Sequence, residues 1–124
     1  MDTIDTHLDD IDWMLQSGKP IDLTQASGHA ETISAMLLAF PHLFPPATNQ
    51  WQPNVQHDPA RDTFASPDIW SNFSDFYAQV EAASQLALIA SQTRRESDFR
   101  KAIEPLRNAC NSCHAVYVKA DQAP

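Results

Sequence analysis

The chain has 124 residues, a formal charge of −8 and 43% hydrophobic residues, which suits a single domain over 1–124 with one small core and leaves no room for a second. The acidic balance argues against nucleic acid and anionic membrane surfaces, both gripped through lysine and arginine, and no run approaches the ~20 apolar residues of a membrane helix, so no membrane insertion is expected. Only 2 glycines stand beside 9 prolines and no stretch alternates apolar and polar residues for long, so a sheet has little support and the expectation is all-α.

Met1, Ile4, Leu8, Ile11 and Leu15 recur at helical spacing and place one apolar face on a first helix. Asp2, Asp5, Asp9, Asp10 and Asp12 take much of the remainder and read as a solvated face, not a catalytic pair. Ser17-Gly18-Lys19-Pro20 supplies the stop, glycine as C-terminal cap and proline as breaker. Asp22 with Gln25 resembles a capping box for a second helix over roughly 22 to 40, whose stripe is Ala26, Ala30, Ile33, Leu37 and Phe40.

From Pro41 to Ser66 five prolines and no clean period predict a long connection, with Phe44, Trp51 and Phe64 expected to pin it to the bundle. Ser66-Pro67 offers an N-cap followed by proline, opening a third helix through Phe73, Phe76, Tyr77, Val80, Ala83, Ala87 and Leu88 to about Gln92. Thr93 with Glu96, or Ser97, is the expected cap of a fourth, in which Phe99, Ile103, Leu106, Cys110, Cys113 and Tyr117 follow one face to about Lys119. An interior proline costs about 3 kcal/mol or a kink, so a bend is expected at Pro105. Two short connections and one long one predict an antiparallel up-down-up-down four-helix bundle, with the long connection between helices two and three.

The fourth helix carries the chemistry. Cys110-Asn111-Ser112-Cys113-His114 holds the only two cysteines, with a histidine directly after the second. That pattern reads as covalent attachment of one haem c: two thiols add to the porphyrin vinyl groups and the adjacent imidazole, His114, takes an axial position on the iron. On a helix the two sulfurs project from one side a turn apart, with His114 rotated by about 100° from Cys113. Zinc would need a fourth ligand, a thioredoxin-like pair expects a strand-helix-strand context, and a non-haem helical protein with a disulfide is a third reading.

Several separated segments resemble the class II c-type cytochromes, that is, cytochrome c prime and its low-spin relatives. They are Gly18 to Asp22 after the first helix, Leu43-Phe44-Pro45 after the second, Ser66 to Ser71 opening the third, and the haem motif itself. The resemblance covers nearly the whole chain and implies a haem-binding bundle that is not an enzyme, with Phe76 and Trp70 near the haem. Two departures stand out: the family's first helix begins several turns earlier, so this one is shortened, and its basic residue four positions after the histidine is here Val118, beside Lys119.

The sixth iron position separates two functions. A methionine there makes a six-coordinate electron carrier; an apolar residue leaves iron open to small gases such as NO or CO. At ~1.5 Å per residue, His114 lies ~26 Å from a start near Ser97 and Met1 ~23 Å from an end near Gln16, so an antiparallel pair brings them level. Met1 is therefore the candidate distal ligand, and the low-spin members this chain resembles carry methionine at that place; the competing reading is a frayed terminus drawn to water. His7 and Met14 lie off the Met1 face and read as surface and secondary-core residues. His29, His42 and His57 read as solvated or locally hydrogen-bonded, not as ligands.

The expected role is thus a periplasmic electron-transfer protein, with gas binding or sensing as the alternative. The expected redox partner carries a basic patch complementary to this acidic chain, and a homodimer through the first two helices is what many relatives imply. The stretch from Met1 to Asp5 has neither basic flank nor apolar run, so attachment of haem outside the cytoplasm implies a removed leader or a longer precursor.

Overall fold

The structure, a computed structural model, describes residues 1–118 apart from 52, 54, 55, 57, 59 and 61. Five helices carry the fold: α1 (Asp2–Gln16), α2 (Leu23–Ala39), α3 (Asp68–Ser71), α4 (Phe73–Ser91) and α5 (Glu96–Tyr117). Short 3₁₀ turns at Phe40–Leu43 and Pro46–Thr48 begin the long connection, and among the described residues there is no strand. The four long helices form the expected antiparallel bundle, with α2 against α4, α4 against α5 and α1 against α2. The first is the shortest, 15 residues against 22 in α5. None of these helices is long and apolar enough to cross a membrane.

The boundaries follow from local chemistry. Gly18 has φ +69°, the left-handed conformation that ends a helix most easily without a Cβ. Asp22 is extended and its carboxylate accepts from the Gln25 amide at 3.1 Å, as the capping pattern predicts. Ser66 Oγ accepts from the Asp68 amide at 3.1 Å and donates to the Asp68 carboxylate at 2.9 Å, so it does hold the entry to α3.

Several expectations need correction. The third helix is broken at Asn72 (φ −129°, ψ 44°), which separates one turn, α3, from the body of α4. Thr93 does not cap α5: its hydroxyl turns back to the Ala90 carbonyl at 2.8 Å and so serves the end of α4. The residue before α5 is instead an extended Arg95, which binds Asp98 in the first turn at 2.7 Å. Helix α5 continues past Pro105, so the proline does not end it; both Pro105 and Lys101, whose carbonyl loses its partner, are on the exposed face.

The core is built from the predicted stripes. Ile4 and Ile11 of α1, Ala26, Ala30, Ile33 and Leu37 of α2, Phe76, Val80, Ala83, Ala87 and Ala90 of α4, and Phe99, Ile103, Leu106 and Tyr117 of α5 are all buried. Alanine dominates where α2 meets α4, so the backbones approach closely. In that seam the buried Ser84 hydroxyl donates to the Ser34 carbonyl at 2.8 Å and lies 3.1 Å from the Ser34 hydroxyl, which satisfies both groups. Arg107 pairs with Asp12 and Arg100 donates to the Leu15 carbonyl at 3.0 Å, so two cations of α5 hold the α1 end that lacks intrahelical partners.

The long connection is latched to the end of α5. The Ser66 amide donates to the Tyr117 carbonyl at 2.8 Å, Ala65 and Val118 form an antiparallel bridge, and the Trp51 indole N–H donates to the Ala65 carbonyl at 2.9 Å. Phe44 pins the start, packing edge-on to Phe40 (5.1 Å), Phe76 (5.3 Å) and Trp70 (5.8 Å). Phe64 does not pin the loop, being 43% exposed. The expected tail of the last helix at Lys119 lies outside the described residues.

Candidate functional site

Where α1, α4 and α5 diverge, the bundle holds a cavity of about 950 Å³ that reaches the surface. Its floor is apolar: Leu37 from the end of α2, Phe40, Phe44, Ile69, Phe76 and Val80. Phe76 is 1% exposed, with ring centroids 5.2 Å from Tyr117 and 6.2 Å from Phe40. Ala83 and Ala109 face the same space, and side chains this small leave a gap where two helices would otherwise interdigitate. Thr63, Phe64 and Ala65 of the latched connection close one side.

Helix α5 supplies one wall. The spacing of Phe99, Ile103, Leu106, Cys110, Cys113 and Tyr117 keeps both sulfurs on the apolar face, and His114, half-buried, lines the cavity beside them. Both thiols are free and half-buried. Burial, with the nearby Cys110 and Asp75, pushes the Cys113 thiol up to about 11; burial and then Asp5 also raise Cys110. At neutral pH these are two protonated, apolar thiols facing one cavity.

Helix α1 supplies the opposite lip. Met1 is its N-cap residue, its carbonyl accepts from the Asp5 amide at 2.9 Å, and it lines the same cavity as His114. Met1 is 41% exposed. Asp2 and Asp5 sit with it at the mouth. No lysine or arginine lines the cavity among the described residues.

Of the residues singled out from sequence, the fold therefore collects Met1, Phe76, Cys110, Cys113 and His114 around one space. Trp70 is not among its lining residues: it stands one layer back against Phe44, its indole N–H donating to the Pro45 carbonyl at 3.3 Å. His42 lies away from it, edge-on to Tyr77 at 6.1 Å, and His57 is outside the described residues. Leu37, Phe40 and Ala83 line it without having been picked out. They looked like ordinary core positions, and only the register of α2 and α4 against α5 shows which core residues border the gap.

A hydrogen-bond set stiffens the wall behind the thiols. The Tyr117 hydroxyl donates to the Asp75 carboxylate, which also accepts from Gln79 at 2.8 Å. Burial and this carboxylate push the Tyr117 phenol up to about 12. Nothing in the sequence pattern announces the pair, since it joins different helices.

The residues present fit a haem. The volume lies at the upper end of the ~300–1,000 Å³ usual for cofactor sites, the lining is mostly apolar with few polar groups, and two thiols and an imidazole share one wall.

Comparison with known proteins agrees. The family model described as cytochrome C′ matches residues 1–118. Cytochrome c-556 of Agrobacterium tumefaciens (strain II Chrys) is 29% identical over 101 residues, covering 80% of this chain and 74% of the relative. Cytochrome c-556 of Agrobacterium fabrum is 28% identical over the same length, 80% of this chain and 62% of its own. Among solved structures, cytochrome c prime from Shewanella frigidimarina superposes with a TM-score of 0.72 at 22% identity, over 95% of this chain and 87% of that one. A structural model of oxidised cytochrome c556 from R. palustris gives 0.71 at 19% identity, over 95% and 96%. With a match from its first residue to the end of α5, this chain belongs to the cytochrome c′ family of class II c-type cytochromes, whose cofactor is covalently attached haem c.

Proposed function

We propose that this protein is a one-electron carrier whose haem would be held through Cys110 and Cys113, with His114 and Met1 as the residues that would ligate its iron. One observation carries the reading: Met1, from the other end of the sequence, lines the same cavity as His114 and both thiols. Haem c, when bound, supplies a one-electron iron couple.

The chain's own residues do the rest. Cys110 and Cys113 anchor the group to α5, so it is not exchanged. His114 offers an imidazole and Met1 a thioether, a pair that stabilises reduced iron and raises the potential. Leu37, Phe40, Phe76 and Val80 keep water from the buried side, and Asp2 and Asp5 make the exposed edge acidic. With a formal charge of −8, an acidic rim favours a redox partner presenting a basic patch, and salt should weaken that encounter. Because haem c is attached outside the bacterial cytoplasm, we place the protein in the periplasm.

A second reading, binding of a small gas at an open iron position, is favoured by the 41% exposure of Met1. Visible spectra of the matured protein, oxidised and reduced, with and without carbon monoxide, separate the two. The electron-carrier reading predicts low-spin spectra that carbon monoxide leaves unchanged; a high-spin spectrum with ready binding of the gas would overturn Met1 ligation.

A further inference from the structure

Away from the haem cavity, the α1–α2 hairpin brings together His7, Asp10 and His29. They come from two helices and form the one group of three metal-ligating side chains found among the described residues. The two imidazoles meet nitrogen to nitrogen, His7 Nδ1 lying 2.8 Å from His29 Nδ1, with ring planes tilted by 53°. Asp10 stands one helical turn after His7, and its Oδ2 is 4.0 Å from His29 Nδ1. All three ligand atoms lie within 4.8 Å of one another.

These dimensions suit a small ion. Two nitrogens bound to one metal at ~2.0–2.1 Å, with an angle between ~90° and ~109°, lie about 2.9–3.4 Å apart, close to the separation already present. The carboxylate has to swing inward, and Asp10, whose side chain is 55% exposed, is free to do so, whereas His29, at 17%, is held. Two imidazoles and one carboxylate select zinc, copper or nickel over calcium and magnesium, which prefer all-oxygen sites. Three protein ligands leave a further position for water.

The two Nδ1 atoms face one another at 2.8 Å, so one tautomer pairs them as N–H donor and acceptor, and an ion that replaces the shared proton would take both lone pairs. The chain as a whole carries a charge of −8, which favours cations over anions at its surface. None of His7, Asp10 and His29 lines the haem cavity.

We propose that His7, Asp10 and His29 form a binding site for one divalent transition-metal ion of the zinc and copper class, bridging α1 to α2 and separate from the haem. The ion would tether the helix that Met1 caps to the helix that carries Leu37. The site does not depend on Met1 ligation, since its residues are not shared with the cavity.

Isothermal titration of the haem-loaded protein with zinc chloride tests this directly. The expected result is one ion per chain, with His7→Gln and His29→Gln each weakening binding at least about tenfold, as loss of a ligand should exceed the ~10–100-fold cost of losing an outer partner. His42→Gln should leave it unchanged. Copper(II) electron paramagnetic resonance should show two nitrogen donors in the wild type and one in either variant, while the haem spectrum stays constant; far-ultraviolet circular dichroism checks that each variant is folded. No saturable binding, half an ion per chain, or affinity undiminished in folded His7→Gln and His29→Gln would each overturn the proposal.

Discussion

Replacing Tyr117 by phenylalanine isolates one bond in the wall of the haem cavity. The ring contributes an edge contact with Phe76 at 5.2 Å and is 2% exposed, and phenylalanine keeps both properties. What is lost is the hydroxyl that donates to the Asp75 carboxylate. Hydrogen bonds to charged groups contribute about 1.5–3 kcal/mol; because Asp75 is exposed and keeps Gln79, water recovers part of this, so a loss of about 1–2 kcal/mol is expected. In a chain this size that is a fall of roughly 3–10 °C in the unfolding midpoint.

The same bond gives an alkaline signature. With the folded phenol raised from 10 to about 12, the bond's contribution is complete below pH ~10 and is lost as pH rises through about 12, because above pH ~10 the unfolded chain releases the proton first. The wild type should therefore lose stability over that window more steeply than Tyr117→Phe. The assay is guanidinium unfolding of the haem-loaded protein at neutral and alkaline pH, with Asp75→Ala and the double variant completing a cycle. Additive single losses, or a Tyr117→Phe variant as stable as wild type, would refute the reasoning.

Three further outcomes follow from the same geometry. Met1→Leu keeps the apolar bulk but removes the thioether, so it should shift the oxidised spectrum toward high spin, admit carbon monoxide and lower the reduction potential, read by spectroscopy and potentiometry. Gly18→Ala should cost about 1–2 kcal/mol for holding a side chain at φ +69°; a Cβ there meets nothing within 4 Å, so the loss is purely conformational and thermal unfolding should show it without change in the haem spectrum. In polypeptide prepared without haem, alkylation of Cys113 should be slow at neutral pH and rise only as pH approaches about 11, since burial disfavours the thiolate.

Much of the bundle was legible from spacing. The stripe from Phe99 to Tyr117 predicted which face of α5 is buried, and the same periodicity placed both thiols and His114 where they are. Gly18 and Asp22 marked their boundaries because each acts through its own backbone or the next turn. Prediction failed where a choice depended on distant partners. Thr93 had the chemistry of a cap but found the Ala90 carbonyl first, and Phe64 had the size of a core residue but lies at the rim. Trp70 packs against Phe44, and Asn72 breaks the helix just after it; no rule of composition reveals that break. The meeting of His7 with His29 was hidden for a related reason: they are equally far in sequence on either side of Gly18, but only the antiparallel register of α1 and α2 turns that symmetry into contact.

Helix rise alone puts Met1 and His114 at like heights, and both residues are among those lining one cavity. That agreement depends on the up-and-down path of the chain: antiparallel helices convert opposite ends of a sequence into neighbours.

The central claim is that a single haem is covalently held at Cys110 and Cys113. Intact mass spectrometry of the matured protein after denaturation, followed by peptide mapping, tests it most directly. One haem should remain on the chain and map to the peptide containing Cys110 to His114, and be absent from a Cys110→Ala, Cys113→Ala double variant. A haem released by denaturation, or a mass corresponding to the bare polypeptide, would contradict it.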